Sequence, residues 1–521
     1  MPIKGDFIRC FSMRTSGPGT AGLKSREDLQ KTLKRRKDRE SLLETLESIV
    51  IAFVLAFIFR AFIVEAFVIP TGSMAPTLYG EHTERRCSDC GYKFAVGADP
   101  GGLSTEPLCP NCFKSRHESA LLVKYSGDRI LVLKYLFDFE EPHRWDVIVF
   151  HNPNEPSQNY IKRLVGLPGE TIELVDGNIT INGRIAHKTD VAQNALWMLV
   201  HDTRYKATRE GWIARWTLDP PWANRDTGFV LERAPEKDKV AWLTYRHRGA
   251  TGEPQNITDF CGYNSGGPQH RLGSAVVTDL CLRTEATAGQ ASSVIVVDMR
   301  AYNDRFRFEL TAEGSDQPTR ILVNDKLVAR APGGVLPVGR PVEIETANVD
   351  HKLMLLVDGK RVATQALVET TLGTSDPTYK PTRLSKKDCD DFDNPQGEEP
   401  SHMAAEVRIG ARGGPVALAY LKLDRDVYYL NETMFRTRGE GTAPGHATQG
   451  NPFRVQEGQY FVCGDNSPKS FDSRLWDLTE PTVPRRNLVG KALFVYWPSA
   501  GPRLRIPLPV IPDGYGWRFV H

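Results

Sequence analysis

Two residues of this sequence suit covalent chemistry through their type and setting. Ser73 lies in Pro70-Thr71-Gly72-Ser73-Met74-Ala75-Pro76-Thr77-Leu78, and Lys162 in Tyr160-Ile161-Lys162-Arg163-Leu164-Val165-Gly166-Leu167-Pro168-Gly169-Glu170. A serine hydroxyl is a weak nucleophile until a neighbouring base takes its proton, and a lysine can be that base only when neutral. Because a free lysine titrates near ~10.4, burial must pull it down several units, at ~1.4 kcal/mol per unit. A serine–lysine pair therefore needs an apolar pocket, with Phe67-Val68-Ile69 and Leu164-Val165 as candidate walls. Taken singly, each residue also reads plainly: Ser73 as a turn residue, Lys162 as part of a solvated strand edge.

Four of the nine cysteines are grouped, as Cys87-Ser88-Asp89-Cys90 and Cys109-Pro110-Asn111-Cys112 with 18 residues between the pairs. Paired CxxC knuckles are the spacing of a zinc ribbon, whose four thiolates sit ~2.3 Å from the metal in a tetrahedron. Two disulfides are the competing reading, permitted in an oxidising compartment. The knuckle spacing favours a structural zinc, and four cysteines close such a site to catalysis. Cys261 and Cys281 stand as a further pair that a bridge could join.

These residues must be positioned by a chain of 521 residues, room for three or four domains at ~150 residues each. A net charge of +2, with 25% charged and 40% hydrophobic residues, excludes both a polytopic membrane protein and a wholly disordered chain. A sequence pI near 8.0 argues against nucleic acid as a partner, since domains held to it by bulk charge usually lie above ~9. Residues 1–23 read as a disordered tail. Lys24 to Arg39 then carries eight Lys/Arg against three Asp/Glu, directly before the unbroken apolar run Ile49–Phe59. Leu46 to Val64 is nearly the ~20 helical residues that span hydrocarbon, with Arg60 near enough to one end to snorkel. The basic flank predicts a single-pass anchor with a cytoplasmic N-terminus and all later residues outside the cytoplasm.

After Pro70 helical periodicity is nearly absent and the pattern is β, including Arg129–Leu133, Val147–Phe150 and Glu173–Val175 turning through Asp176-Gly177-Asn178 into Ile179–Ile181. Further on, Ser293–Met299, Arg305–Leu310, Thr319–Val323, Val342–Thr346, Lys352–Val357 and Arg361–Leu367 fall at the spacing of a β-sandwich.

Together, the serine and lysine stretches resemble the PSGSM-type and YIKRxxGxPGD-type boxes of bacterial type I signal peptidases, also called leader peptidases. The resemblance extends to Gly127-Asp128-Arg129-Ile130-Leu131-Val132, to Gly464-Asp465-Asn466 with Ser470-Phe471-Asp472-Ser473-Arg474, and to the run Val483–Lys491. It implies Ser73 as nucleophile and Lys162 as general base, with no catalytic cofactor. Ser470 and Asp472 would orient Lys162, Arg474 would pair with Asp472, and the Ser73 N–H helped by the Thr71 hydroxyl would stabilise the oxyanion. The chain departs from the family at Arg144-Trp145-Asp146, where the relatives carry an RGD-like triplet, and at Ser467-Pro468-Lys469. Trp145 then either packs or faces lipid.

The expected fold is mainly β: a signal-peptidase body with one N-terminal transmembrane helix, a small zinc-ribbon-like insert and a large inserted β-sandwich or jelly roll. The organisation reads as a basic cytoplasmic tail (1–40), an anchor (41–66), a first catalytic part (67–190, with the cysteine insert at 81–120), the sandwich (191–450) and a second catalytic part (451–521). Within roughly 205–430, the runs Lys352–Val362 and Ile409–Val416, closing in Leu423–Tyr429, resemble concanavalin-like and lectin-like domains. Such a domain binds glycan, contacts an envelope partner or acts as a spacer; Trp212, Trp216, Trp222 and Trp242 are either sugar platforms or core.

The implied activity is cleavage of signal peptides from exported preproteins after Ala-x-Ala-like sites, at the bacterial inner membrane and in contact with its lipid. The substrate would add as a strand. The alternatives are a self-cleaving repressor, disfavoured by the anchor and the lack of a DNA-binding motif, and a glycan-binding envelope protein on an inactive protease scaffold.

Overall fold

The structure, a computed structural model, describes residues 26–58, 64–98, 106–115, 124–226, 228–233, 239–265, 273, 275–367, 403–430, 445–476, 481–497 and 518–520. The protein is mainly β with one long N-terminal helix. That helix, Arg26–Ile58, includes an apolar stretch, Lys37–Ile58, of 22 residues. At 1.5 Å per residue this is long enough to cross a membrane.

The helix begins well before the expected anchor at 41–66, because the Lys, Arg, Glu, Gln and Leu side chains ahead of it are strong helix formers. It also stops sooner. Val64–Val68 is a strand whose Val64, Glu65 and Ala66 pair with Leu133, Val132 and Leu131, so the last anchor residues expected are sheet. The β-branched and aromatic run there satisfies strand and membrane helix alike, and the partner strand decides. The tail expected over 1–23 lies outside the described residues.

Residues 64–521 form one compact unit. Its central antiparallel sheet runs, in order, Val64–Val68, Arg129–Leu133, Leu488–Trp497, Val147–His151, Asn159–Gly166, Gln459–Cys463 and Val483–Pro484, with Arg518–Phe519 beside Leu488–Trp497. Early and late parts of the chain are thus interleaved in one ladder. A smaller sheet repeats this, with Thr171–Val175 holding Phe453–Arg454. Asp176 and Gly177 both take positive φ (51° and 81°), the backbone that a two-residue hairpin turn requires.

Between these parts stand two further sheets, face to face. Leu282, Ile344, Leu353 and Leu355 from the nine-stranded sheet meet Ile295, Val297, Phe308 and Ile409 from the seven-stranded one in a single apolar core. The strands lie within a few residues of the alternating runs in the sequence, for example Val294–Ala301 and Asp304–Thr311. Trp216 and Trp222 belong to this core, and Trp222 Nε1 donates to the Ala241 carbonyl, so neither offers a face to a sugar. Trp212 packs beside the four-cysteine cluster, and Trp242 carries the Arg408 guanidinium 4.4 Å from its ring. Cys261 and Cys281 are free thiols, with Cys281 buried against Trp197 and Met354.

One ion pair ties the two catalytic stretches together. Arg163 donates to both oxygens of Asp465 at 2.7 Å, across 302 residues, with both side chains fully buried. Arg163 also donates to the Trp145 carbonyl. Asp465→Ala strands a buried guanidinium and is expected to cost about 3–5 kcal/mol in urea unfolding, whereas Arg163→Met with Asp465→Leu recovers most of that loss.

Candidate active site

The serine segment leaves the strand Val64–Val68, passes Ile69 and turns through a short 3₁₀ stretch, Gly72–Met74. Its base is gripped by the Gly-Asp box. Ile69 N–H donates to the Asp128 carbonyl, and the Asp128 carboxylate accepts from Tyr79 N–H and Arg518. Gly127 has to be glycine, because a Cβ there would lie 1.6 Å from the Ile69 carbonyl oxygen.

Lys162 sits on Asn159–Gly166, where side chains alternate between faces. Arg163 turns to Asp465; Lys162 turns to the serine. Its Nζ stands 2.7 Å from Ser73 Oγ and 3.1 Å from the Ile161 carbonyl, with the Tyr160 ring 5.5 Å away. Ser73 is 7% exposed and Lys162 4%. Burial pulls the lysine down to about 8; Asp472 pushes the other way and is partly offset by Arg474. At neutral pH a useful fraction of the amine is therefore neutral beside the hydroxyl.

The late box closes the site. Asp472 accepts from Gly464 N–H and from Arg474 Nε and Nη2, with all three residues buried. Burial raises the Asp472 carboxyl, but Arg474 outweighs it and holds it below the usual carboxylate range. Arg474 also reaches Ser467 Oγ and the Leu430 carbonyl. The departure Ser467-Pro468-Lys469 is thus a 3₁₀ turn that supplies Arg474 with an acceptor. A Cβ at Gly464 would meet the Ser73 carbonyl oxygen at 2.4 Å, so the approach of the serine turn demands glycine.

One sequence expectation meets a different geometry, and one alternative is decided. Ser470 makes no bond to Lys162, because its turn aims Oγ at Gly464 and at the Asp472 carboxylate, which it helps to hold down; the Ile161 carbonyl takes the lysine instead. Trp145 packs: at 4% exposure it takes φ 77° and donates from Nε1 to the His187 carbonyl. Thr71 is exposed next to the turn, and its side chain makes no capping bond.

Sequence reading missed Asn466 as a site residue, although it belongs to the Gly-Asp-Asn triplet. It donates from Nδ2 to the Gly72 carbonyl at 2.8 Å, and its own N–H donates to the Ser73 carbonyl.

The four grouped cysteines converge. Their sulfurs all lie within 4.8 Å of one another, with Cys87–Cys112 and Cys90–Cys109 at 3.6 Å. That is too long for a disulfide at ~2.05 Å, and close to the ~3.8 Å edge of a tetrahedron with 2.3 Å metal–sulfur bonds. Burial and the adjoining thiols push Cys109 far up, so four thiolates this close need a cation among them. The donor set fits zinc.

Residues 42–89, 113–210 and 404–497 match the family model described as "Signal peptidase, peptidase S26". Signal peptidase I of Rickettsia typhi is 30% identical over 155 residues, covering 30% of this chain and 49% of that protein. Signal peptidase I of Rickettsia canadensis is 34% identical over 142 residues (27% and 44%), and Signal peptidase I P of Bacillus subtilis subsp. natto is 27% identical over 161 residues (31% and 62%). The chain spans about half the length of the Rickettsia relatives it matches. Among solved structures, the carbohydrate-binding module CBM66 from Bacillus subtilis aligns with 40% of this chain and 92% of its own at 9% identity and a TM-score of 0.22, a likeness too faint to fix fold or ligand. The matched stretches, which hold Ser73, Lys162 and the late box, are similar to peptidase family S26. The curated relatives that it matches are type I signal peptidases.

Lys162 is held below its free value, so the folded chain loses that proton before the unfolded chain does. Below pH 8 both forms are charged and the burial cost is fully present; stability rises with pH between about 8 and 10.5. Lys162→Met is therefore expected to raise stability at pH 7, by at most on the order of 3 kcal/mol, and to flatten that rise in unfolding curves taken from pH 7 to 10.5.

Proposed function

We propose that this chain is a membrane-bound serine endopeptidase that removes N-terminal signal peptides from exported preproteins, with Ser73 as nucleophile and Lys162 as general base. The observation that carries the reading is the buried 2.7 Å contact between Lys162 Nζ and Ser73 Oγ, on a lysine lowered to about 8.

The neutral amine of Lys162 takes the Ser73 proton as Oγ attacks the scissile carbonyl. The Ser73 N–H, with the Thr71 hydroxyl beside it, stabilises the oxyanion; loss of a donor of this kind typically costs ~10²–10³ in rate. The lysine ammonium then returns the proton to the leaving amine. An acyl ester remains on Ser73, and water activated by the same lysine hydrolyses it. Asp472 and Arg474 hold the box behind the base. The tuned lysine disfavours the inactive-scaffold alternative, since a retired site has no use for a buried cation.

Substrate adds to the open edge of Val64–Val68, the end strand of the central sheet, which leads into the serine turn. Small residues are favoured before the cut, as in Ala-x-Ala. The Arg26–Ile58 helix, basic before its apolar part, supports a single crossing of the bacterial inner membrane with the N-terminus in the cytoplasm. Cys87, Cys90, Cys109 and Cys112 hold a structural zinc, which stabilises an insert too small for a core of its own. The two-sheet insert is the candidate surface for a glycan or envelope partner.

The test is cleavage of a radiolabelled preprotein by the detergent-solubilised full-length chain. Ser73→Ala and Lys162→Ala are each expected to abolish cutting after Ala-x-Ala. In the wild type kcat/KM should climb as pH rises through about 8 and level off above it, because only the neutral lysine acts. Cutting that survives either substitution, or a flat pH profile, sinks the assignment. For the cluster, the purified protein should carry one zinc per chain by elemental analysis, lost in Cys109→Ser together with part of the thermal stability.

A further inference from the structure

The large insert reaches the serine turn. Its loop ending in the 3₁₀ turn Gly262–Asn264 lies against the body, with the Tyr263 ring where a Cβ on Gly72 would sit, 2.2 Å away. Tyr263 OH donates to the Glu81 carbonyl. Asn264, 2% exposed, faces Asn466 in a reciprocal amide pair: Asn264 Nδ2 donates to Asn466 Oδ1 at 2.7 Å, and Asn466 Nδ2 donates to Asn264 Oδ1 at 2.9 Å. The other hydrogen of Asn466 Nδ2 goes to the Gly72 carbonyl at 2.8 Å.

An asparagine amide can be turned over with little change in shape, which exchanges its donor for its acceptor. Turned over, Asn466 would set an oxygen against the Gly72 oxygen and lose that bond. The pairing with Asn264 resists this, because Asn466 turned alone would also oppose oxygen to oxygen and nitrogen to nitrogen, and both amides turned together would still lack the Gly72 bond. Asn264 thus favours the way Asn466 points, and Asn466, at 2.8 Å, joins the turn's own Ala75 N–H, at 3.2 Å, in holding the Gly72 carbonyl. In a planar trans peptide the carbonyl of one residue and the N–H of the next point in opposite directions. Holding the Gly72 oxygen toward Asn466 therefore aims the Ser73 N–H away from it, toward the side where an oxyanion would form.

We infer that Asn264, contributed by the two-sheet insert, is a positioning residue for the reaction: through Asn466 and the Gly72 carbonyl it orients the Ser73 N–H that stabilises the oxyanion. The inference rests on the reading of Ser73 as nucleophile. The loop is braced on its far side by the cysteine-rich segment, where Ser265 Oγ accepts from Leu108 N–H and Pro110 packs over Gly262. The insert is accordingly part of the catalytic apparatus.

The experiment uses the full-length chain in detergent with a preprotein substrate, comparing wild type with Asn264→Ala, Asn466→Ala, their double variant and Ser73→Ala. Misplacing a catalytic group by about 1 Å can cost ~10²-fold, so Asn264→Ala is expected to lower kcat about 10- to 100-fold with KM within about twofold. The pH midpoint near 8 stays where it is, because Lys162 is untouched. The double variant is no slower than Asn466→Ala alone, since both act through one amide. Asn264→Gln keeps both the donor and the acceptor that Asn466 requires and recovers part of the rate, whereas Asn264→Asp, which sets an oxygen against Asn466 Oδ1, does not; the glutamine variant serves as the readout if the alanine variant melts early. Full kcat in Asn264→Ala, multiplicative losses in the double variant, or no recovery in Asn264→Gln overturns the role of Asn264. Cleavage indifferent to Ser73→Ala overturns the reading of the site itself, and the inference with it.

Discussion

Everything around Ser73 follows from burying one amine. A lysine lowered to about 8 needs a setting dry enough to disfavour its charge, yet close to carboxylates that fold the chain. The structure meets this by supplying its carboxylates already paired. Asp472 arrives with Arg474, and Asp465 with Arg163, so each acid near the lysine brings its own cation. A bare aspartate at either place would raise the lysine and keep its proton on. Removing both acids would leave the two guanidiniums buried without partners.

The same constraint shapes the serine side. The turn has to approach the late box so closely that Gly464 cannot carry a side chain, and its base is pressed against Gly127. Backbone carbonyls of the turn are taken by Asn466, while Asp128 holds the following segment through Tyr79. Ser73 thus stands on a short loop held from both ends by residues far along the chain. Such long-range closure is slow to fold but leaves little freedom in the loop once formed.

The short boxes were legible because their chemistry requires particular residue types in a fixed order, as with Ser73, Lys162 and the Gly-Asp-Asn triplet. The two-sheet insert was legible in part because strands such as Arg320–Val323 alternate and Asp358-Gly359 marks a turn, where both residues take positive φ. The end of the membrane helix was not, since Phe62 to Val68 is equally apolar as helix or strand and only the partner Arg129–Leu133 chooses. Asn264 left no trace in the sequence. An asparagine before Ser-Gly-Gly reads as a turn residue, and its partner lies 202 residues downstream. The orientation of Ser470 was equally hidden, because a motif names the residue but the turn aims it.

Lys162 and Arg163 are neighbours on a strand whose side chains alternate, so a slip of one residue along Asn159–Gly166 would exchange them. The serine would then face a guanidinium, which keeps its proton at any physiological pH and can never act as a base. The Arg163–Asp465 pair is the lock on that register, and its acid is made 302 residues after its base. A growing chain therefore contains its serine and lysine long before it contains the residue that tells them apart from a dead arrangement. The register that sets Lys162, and not Arg163, beside Ser73 is secured only once the chain has been made past Asp465.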